Sequence, residues 1–310
     1  MVNTKKNLKR TKFMTNSIRG YASENNMGKM ATEARIHMLD TNIIPAILHG
    51  SEAYPSFTKE EMNELEKMQG SLIRDLLEIS PSTPYMALLW ELGIPTMKAR
   101  ISYRKLMLYH NLNHSDERRI AKKVMEAQIA MDRESTWLGG IYKLLKEYNI
   151  ENTVQEELKS QWKKKVKIQL QTITEEEIKK ECTGRSKART TLRSEYKMKD
   201  YLRETGTTQS RKILSTRLHM TKIPCNYKKK QVEDDGEESC WLCGLQEIRT
   251  EHFFLCKGTK RLREIWSVKE EDLISESTST LKRVAMFMEK VETMYSPKWE
   301  AQKVKIEDEE

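Results

Sequence analysis

The stretch that decides the fold class covers residues 57–84 and reads FTKEEMNELEKMQGSLIRDLLEISPSTP. Thr58 and Glu61 have the spacing of a capping box, in which each side chain bonds to the other residue's backbone N–H at a helix start. The apolar residues that follow form one stripe at helical spacing: Met62, Leu65, Met68, Leu72, Ile73, Leu76 and Leu77. Ser80 precedes a proline, which disfavours α geometry. The pattern therefore predicts an amphipathic helix that ends near Ile79.

Two more helices are predicted immediately after this one. Thr83 is placed as the N-cap of the first, Pro84 suits its first position, and Gly93 suits a left-handed C-terminal stop. The residues between are apolar on nearly every side, which predicts a buried helix: Ala87, Leu88, Leu89, Trp90 and Leu92. The second helix begins after Pro95. Residues 31–115 are therefore expected to form a helical domain with short connections.

The composition favours a mainly α-helical protein. The 310 residues include only 12 Gly and 7 Pro, whereas Lys, Glu, Leu and Met are abundant. Mean hydropathy is −0.73. No apolar run approaches the roughly 18–20 residues that span a bilayer. No apolar segment follows the basic N-terminus as in a signal peptide. We therefore expect no transmembrane segment and no membrane partner, and a nuclear or cytoplasmic location.

The positive charge is concentrated in one part of the chain. The net charge is +9, but residues 160–232 contain 20 Lys+Arg and 7 Asp+Glu, a net of +13. Such concentration suits a phosphate backbone, because each neutralised phosphate releases counterions. The alternative is a lysine-rich helical surface that is merely solvated. The candidate nucleic-acid contacts are Lys163, Lys164, Lys165, Lys167, Lys187, Arg189, Arg193, Arg211, Arg217, Lys228, Lys229 and Lys230.

The remaining divisions follow from composition and capping signals. Residues 1–30 form a basic N-terminal segment, 116–225 a basic helical region and 226–239 a polar linker. Within the basic region, capping boxes predict two helices, one starting at Thr153 and the other at Thr174. The first would bury one apolar face and expose Lys163, Lys164, Lys165 and Lys167 on the other: Val154, Leu158, Trp162, Val166 and Leu170 form the apolar face. Residues 257–310 are expected to form C-terminal helices and an acidic tail.

A metal site is predicted in residues 240–256. Cys240, Cys243, His252 and Cys256 have the spacing C-x2-C-x8-H-x3-C. Three thiolates and one imidazole match the ligands of tetrahedral zinc, and four protein ligands leave no open position. The cofactor is therefore expected to be a structural Zn2+ in a small knuckle, unless the three thiols are unrelated. Trp241 would either stack on a base or pack beside the metal.

Recognisable catalytic motifs are absent from the sequence. It contains no phosphate-binding loop, serine-hydrolase elbow, zinc-protease motif or dinucleotide fingerprint. The only adjacent aspartates, Asp234 and Asp235, lie in the polar linker, whereas a two-metal polymerase centre needs carboxylates held on rigid elements. Enzymatic activity is therefore not expected, and no catalytic residue is assigned.

Several short segments, in this order, resemble the post-palm part of reverse transcriptases of LINE-type retrotransposons, which lack long terminal repeats. They are DTNIIPAILHGSE at 40–52, with His49 in place of the family's tyrosine, Leu65-Glu66 with Gln69, Ile73-Arg74, Ser82-Thr83-Pro84, ELGIP at 91–95, RLHM at 217–220, Asn226-Tyr227 and EHFFLC at 251–256. The likeness extends over about residues 28–260. It implies a thumb-like helical domain and a CCHC zinc knuckle, but the palm motif of the family has no counterpart here.

We therefore expect a zinc-binding protein with RNA, DNA or both as partner, either the C-terminal portion of such a reverse transcriptase or a host protein derived from one. Two alternatives remain open. One is a helical protein-interaction scaffold with a structural zinc site. The other is the remainder of an active RNA-directed DNA polymerase encoded in a longer frame.

Overall fold

The computed structural model describes residues 32–131, 135–183, 194–220, 240, 242–244 and 250–307. The mainly α fold class is confirmed, since no strand occurs within these ranges apart from one isolated bridge between Leu92 and Met198. None of the described helices combines the length and apolar content needed to cross a bilayer. The α-helices are α1 (Thr32–Met38), α2 (Ile44–Ile47), α3 (Lys59–Leu77), α4 (Tyr85–Leu92), α5 (Met97–Asn113), α6 (Ile120–Met131), α7 (Trp137–Glu147), α8 (Lys159–Thr183), α9 (Asp200–Glu204), α10 (Thr207–Arg217), α11 (Lys260–Trp266) and α12 (Thr278–Glu307).

The chain divides into two compact units that alternate along the sequence. Among the described residues, the first unit comprises Ala34–Leu76 and Gly93–Glu181, and the second contains Leu77–Leu92 and the residues from Cys182 onward. The helix α4 therefore belongs with the C-terminal half of the chain. The contiguous block at 31–115 is consequently shared between the two units.

Two of the helix signals at residues 57–95, the capping box and the glycine stop, are confirmed, whereas α4 begins at Tyr85, one residue after the predicted first position at Pro84. The capping box is formed by two hydrogen bonds, from the Glu61 N–H to Thr58 Oγ1 at 3.2 Å and from the Thr58 N–H to Glu61 Oε2 at 3.0 Å. The helix α3 starts at Lys59, and Glu78 just beyond its end has a left-handed φ of 54°. The short α4 is buried along most of its length, and Gly93 stops it at a φ of 62°.

Residues 153–183 differ from the two helices that the sequence predicted. The side chain of Thr153 bonds to Glu157 within a turn, and α8 begins only at Lys159, after Leu158. Because Thr174 lies inside the same uninterrupted helix, the second predicted start is also wrong. Leu158 is 69% exposed and does not belong to the apolar face.

The core of the first unit lies between α5, α7 and α8. Trp162 is completely buried, and its indole N–H donates to the Leu106 carbonyl at 3.0 Å. Because two apolar helix faces and an indole hydrogen bond meet here, this part of α8 is firmly positioned. The side chains buried around Trp162 are Leu106, Tyr109, Met125, Trp137, Leu138, Ile141, Leu145, Tyr148, Ile150, Val154, Val166 and Leu170.

The second unit has a buried ion pair within it. The guanidinium of Arg217 donates to both carboxylate oxygens of Glu91, at 2.9–3.1 Å, and to the carbonyls of Leu273 and Ser275. The Tyr201 hydroxyl donates to Glu91 at 2.8 Å. The side chains of Arg217 and Glu91 are 2% and 0% exposed. Although burial opposes its charge, Glu91 keeps the pKa of Arg217 above its ordinary value.

Candidate metal centre

The first two candidate ligands lie on a tight turn. The N–H of Cys243 donates to the carbonyl of Cys240 at 3.2 Å, and that of Gly244 donates to the same carbonyl at 2.7 Å. Gly244 has a φ of 76°, which residues with a Cβ rarely adopt. The two-residue spacing and the glycine therefore form the turn expected of a knuckle.

The other two ligands lie on a second turn. His252 is part of a 3-10 helix, Thr250–Phe254, and the N–H of Cys256 donates to the His252 carbonyl at 2.7 Å. This bond closes a turn between residues four apart. It places His252 and Cys256 together, although the local helix is 3-10 rather than α.

The four ligand atoms converge on one point. One atom from each of Cys240, Cys243, His252 and Cys256 lies within 4.8 Å of all the others. Cys240 Sγ and Cys256 Sγ are 3.9 Å apart, and Cys243 Sγ is 3.3 Å from His252 Nε2. A tetrahedral zinc with Zn–S bonds of about 2.3 Å requires sulfur atoms about 3.8 Å apart. These four residues, called the CCHC cluster below, can hold a metal ion.

The CCHC cluster lies against the apolar core of the second unit. Cys240 and Cys256 are 1% exposed, and Cys243 is half-buried. Burial, together with the neighbouring thiols, raises the pKa of Cys256 to about 11, against the effect of a hydrogen bond from the Gly258 backbone. Burial and the charge of Arg263 lower the pKa of His252. The side chains packed with the cluster are Phe253, Phe254, Val268, Leu273, Val284, Phe287, Met288 and Val291.

Three further residues that were not predicted as site residues lie at the second turn: Gly258, Thr259 and Arg263. Arg263 Nη1 donates to the Cys256 carbonyl at 2.5 Å and to that of Phe253 at 3.3 Å. The hydroxyl of Thr259 lies 2.6 Å from the Phe253 carbonyl. Gly258 touches the first turn. Only the position of Gly258, two residues after a ligand, gave a signal in the sequence.

The predicted basic face of α8 is present in part. Lys163, Lys164 and Lys167 are exposed. Lys165 instead forms an ion pair with Glu157 at 2.8 Å and donates to Thr153 Oγ1 at 2.8 Å. Three lysines of this helix therefore remain available for a partner, and the fourth is used within the first unit.

The two candidate arginines on α10 are both bound to carboxylates. Arg211 pairs with Glu78 at 2.9 Å on the surface. Arg217 lies in the buried pair with Glu91, so its assignment as a phosphate contact is wrong. The error arose because a sequence does not show that an arginine and a glutamate 126 positions apart meet in a core. The remaining candidates lie outside the described residues: Lys187, Arg189, Arg193, Lys228, Lys229, Lys230 and Trp241.

A second basic surface adjoins the CCHC cluster. Lys257, Lys260 and Arg261 are exposed, with the i, i+3, i+4 spacing that places side chains on one side of a helical turn. Leu255 and Ile265 nearby are 71% and 64% exposed. A net charge counted over long segments does not reveal this surface, because these cations lie outside the +13 segment at residues 160–232. Their spacing was the available signal.

Comparisons with known proteins identify no family. No family model, curated protein or solved structure matches this chain.

Proposed function

We propose that this chain is a zinc-stabilised nucleic-acid-binding protein. The observation that carries the proposal is the convergence of Cys240, Cys243, His252 and Cys256 within 4.8 Å. Three thiolates and an imidazole suit zinc better than the oxygen-seeking cations, and a closed set of four suits a structural ion. The metal would supply folding free energy to the second unit, and the four side chains would hold it.

Nucleic acid is the proposed partner because exposed cations occur in small clusters. In the first unit, Lys163, Lys164 and Lys167 lie within five residues of one helix. In the second unit, Lys257, Lys260 and Arg261 follow directly after the last metal ligand. Clustered cations suit the closely spaced phosphates of RNA or DNA, from which they release counterions.

The proposed origin is the post-palm region of a LINE-type reverse transcriptase. The order of the short motifs between residues 40 and 256 favours it. The helical elements around those motifs agree with a thumb-like region followed by a zinc knuckle. RNA-directed DNA polymerase activity is not proposed for this chain, because the sequence offers no carboxylate pair suited to the two metals of a polymerase centre.

Salt dependence tests the nucleic-acid proposal. We expect the affinity for a short duplex to fall linearly with salt on logarithmic axes, with about 0.9 slope units per phosphate contact. Changing Lys163, Lys164 and Lys167 to Gln should reduce that slope by up to about three units. The matched control changes three exposed lysines elsewhere in the first unit, Lys59, Lys67 and Lys146, and removes the same charge. An equal reduction of the salt slope in both variants would contradict a specific role for α8.

A protein-interaction scaffold is the second candidate function, and α6 favours it. Of the residues of this helix, all of which are described, only Met125 is buried. Ile120 is 80% exposed, Val124 51% and Met131 58%, and their spacing places them along one side. A parent protein that binds duplex weakly and without a salt slope would favour the scaffold over the nucleic-acid-binding protein.

A further inference from the structure

The two turns that carry the metal ligands approach each other through backbone atoms. A Cβ built on Gly258 would lie 2.5 Å from Leu242 Cβ and 2.7 Å from the Leu242 carbonyl oxygen. Leu242 lies between the ligands Cys240 and Cys243, and Gly258 lies two residues after the ligand Cys256. Contacts below 3.0 Å cannot be relieved by rotating a side chain when backbone is involved. Any larger residue at 258 must therefore move one turn away from the other.

Gly258 also contacts a ligand directly. Its backbone N–H forms a hydrogen bond to the sulfur of Cys256. Such a bond orients the thiolate and satisfies one of its lone pairs, as outer partners of metal ligands commonly do. A shift of the backbone at 258 would therefore disturb both the approach of the two turns and the direction of Cys256 Sγ.

Arg263 fixes the second turn from the opposite end. Its Nη1 donates to the carbonyls of Phe253 and Cys256 and to Thr259 Oγ1 at 2.7 Å. The Thr259 side chain is fully buried against the same carbonyls. The guanidinium thus links two backbone carbonyls of the segment that carries His252 and Cys256. It also places one positive charge beside a site that, with Zn2+ and three thiolates, would carry a net charge of −1.

We propose that Gly258 and Arg263 are positioning residues of the metal centre: Gly258 sets the distance between the two ligand turns, and Arg263 sets the shape of the second turn and offsets its charge. This inference rests on the proposed zinc function. Loss of an outer partner commonly weakens metal binding by about 10–100-fold. Both residues lie outside the ligand set, so their variants retain all four ligands.

The glycine is tested with a matched control in the full-length protein. Zinc affinity is measured by competition with a chromogenic chelator for Gly258→Ala and for Gly206→Ala. A Cβ at Gly206 meets no described atom within 4 Å, and its backbone φ of −66° accepts alanine. We expect Gly258→Ala to bind zinc at least tenfold more weakly than the parent, and Gly206→Ala to bind it within twofold.

Two substitutions of Arg263 provide a second test. Arg263→Lys keeps the charge but cannot bridge three acceptors, whereas Arg263→Met removes both the charge and the bridge. We expect affinity to fall in the order parent, Arg263→Lys, Arg263→Met. The exposed neighbour Arg261→Met is the control for loss of a charge on the same helix.

Cobalt spectra separate positioning from general destabilisation. At saturating Co2+, a variant that is only less stable keeps the parent's thiolate-to-cobalt band, whereas displaced ligand turns change its intensity or position. We expect a changed band in Gly258→Ala and Arg263→Met. Parental affinity and spectra in both would overturn the inference while leaving the zinc proposal intact. A parent that binds neither zinc nor cobalt would instead overturn the zinc proposal itself.

Discussion

The two units of this chain are organised around different kinds of residues. In the first unit, long helices bury a largely apolar core around Trp162, and the ion pair Arg104–Glu52 lies nearer the surface with side chains 29% and 28% exposed. In the second unit, the helices that contribute to the interior are mostly short, and polar groups lie inside: the pair Arg217–Glu91 and the CCHC cluster. The core around Trp162 therefore depends largely on apolar burial, whereas the second unit combines its apolar core with buried polar groups that must find their partners.

This difference predicts different failure modes. Apolar side chains tolerate rearrangement, because burial is nondirectional and scales with area. A buried charge or a set of metal ligands is costly once its partner is removed, since desolvation is no longer compensated. Single changes in the second unit should therefore be more damaging and more local than changes of similar size in the first.

Removal of the metal should have the largest effect. With Cys243→Ser, or with a strong chelator, we expect hydrogen exchange to accelerate at least tenfold in Thr250–Phe254, which carries the ligand His252, and in α11, which follows the cluster. The physical reason is that structural zinc contributes about 10–16 kcal/mol of binding free energy in zinc-finger peptides, and here two ligand turns depend on it. The helix α5 in the first unit should exchange within twofold of its parental rate.

Two results would contradict this expectation. Unchanged exchange in Thr250–Phe254 after verified loss of metal would show that the apolar packing of Phe253 and Phe254 alone holds the turns. Equal acceleration in α5 would show that the two units do not differ in their dependence on metal. Metal content is measured in parallel, and one equivalent of zinc per chain is expected in the parent.

Breaking the buried ion pair should have the next largest effect. Arg217→Met leaves Glu91 buried with the Tyr201 hydroxyl but without its guanidinium partner, and the loss of such a partner typically costs about 3–5 kcal/mol. Denaturant unfolding followed by hydrogen exchange should locate the loss in α4 and α10. The double variant Glu91→Leu, Arg217→Met should recover part of the stability, because no unpaired carboxylate remains. A double variant no more stable than Arg217→Met would indicate that the remaining polar partners dominate.

The comparison also shows what the sequence could predict. The capping box at Thr58, the helix stop at Gly93 and the Cys/His spacing are local signals, and all three are confirmed in position. The burial of Arg217 and the contact of Gly258 with Leu242 depend on segments that meet only in the folded chain. Arg217 lies in a basic segment, and its buried partner Glu91 is not evident from the sequence. The sequence therefore predicted a surface cation, which was wrong.

The predicted start of α8 at Thr153 was wrong for a related reason. Thr153 and Glu156 have the capping-box spacing, but Thr153 bonds to Glu157 and Lys165 instead. The N–H of Leu158 donates to Gln161 Oε1 at 3.1 Å, immediately before the first residue of α8, Lys159. The start of α8 therefore depends on which side chains bond to one another in the folded chain. The spacing of Thr153 and Glu156 alone does not show this.

Two substitutions, one inside α8 and one just before it, test the core of the first unit. Their expected effects on the free energy of unfolding are smaller than that of breaking the buried ion pair. Trp162→Phe removes the hydrogen bond to the Leu106 carbonyl and leaves space in a packed core, so we expect a loss of about 1–3 kcal/mol. Leu158→Ala changes a side chain that is 69% exposed and should cost less than about 0.5 kcal/mol. Unfolding in urea measures both values. Equal costs would indicate that Leu158 is part of the core, as the periodicity first suggested.

A small effect that depends on pH is expected from the partly exposed pair Arg104–Glu52 of the first unit. Partial burial favours the neutral form of Glu52, but the hydrogen bond and charge of Arg104 outweigh it, so the pKa of Glu52 lies below its ordinary value. A carboxyl whose pKa is lowered on folding stabilises the folded state above its unfolded pKa, and this contribution is lost as pH falls through the folded pKa. The pair is partly exposed, so the contribution should not exceed about 1 kcal/mol.

The free energy of unfolding of the parent and of Glu52→Gln, measured at pH 7 and pH 3, tests this expectation. The two proteins should differ at pH 7, and the difference should shrink at pH 3. A difference that stays constant between the two pH values would show that Glu52 stabilises the unit by packing and not by charge.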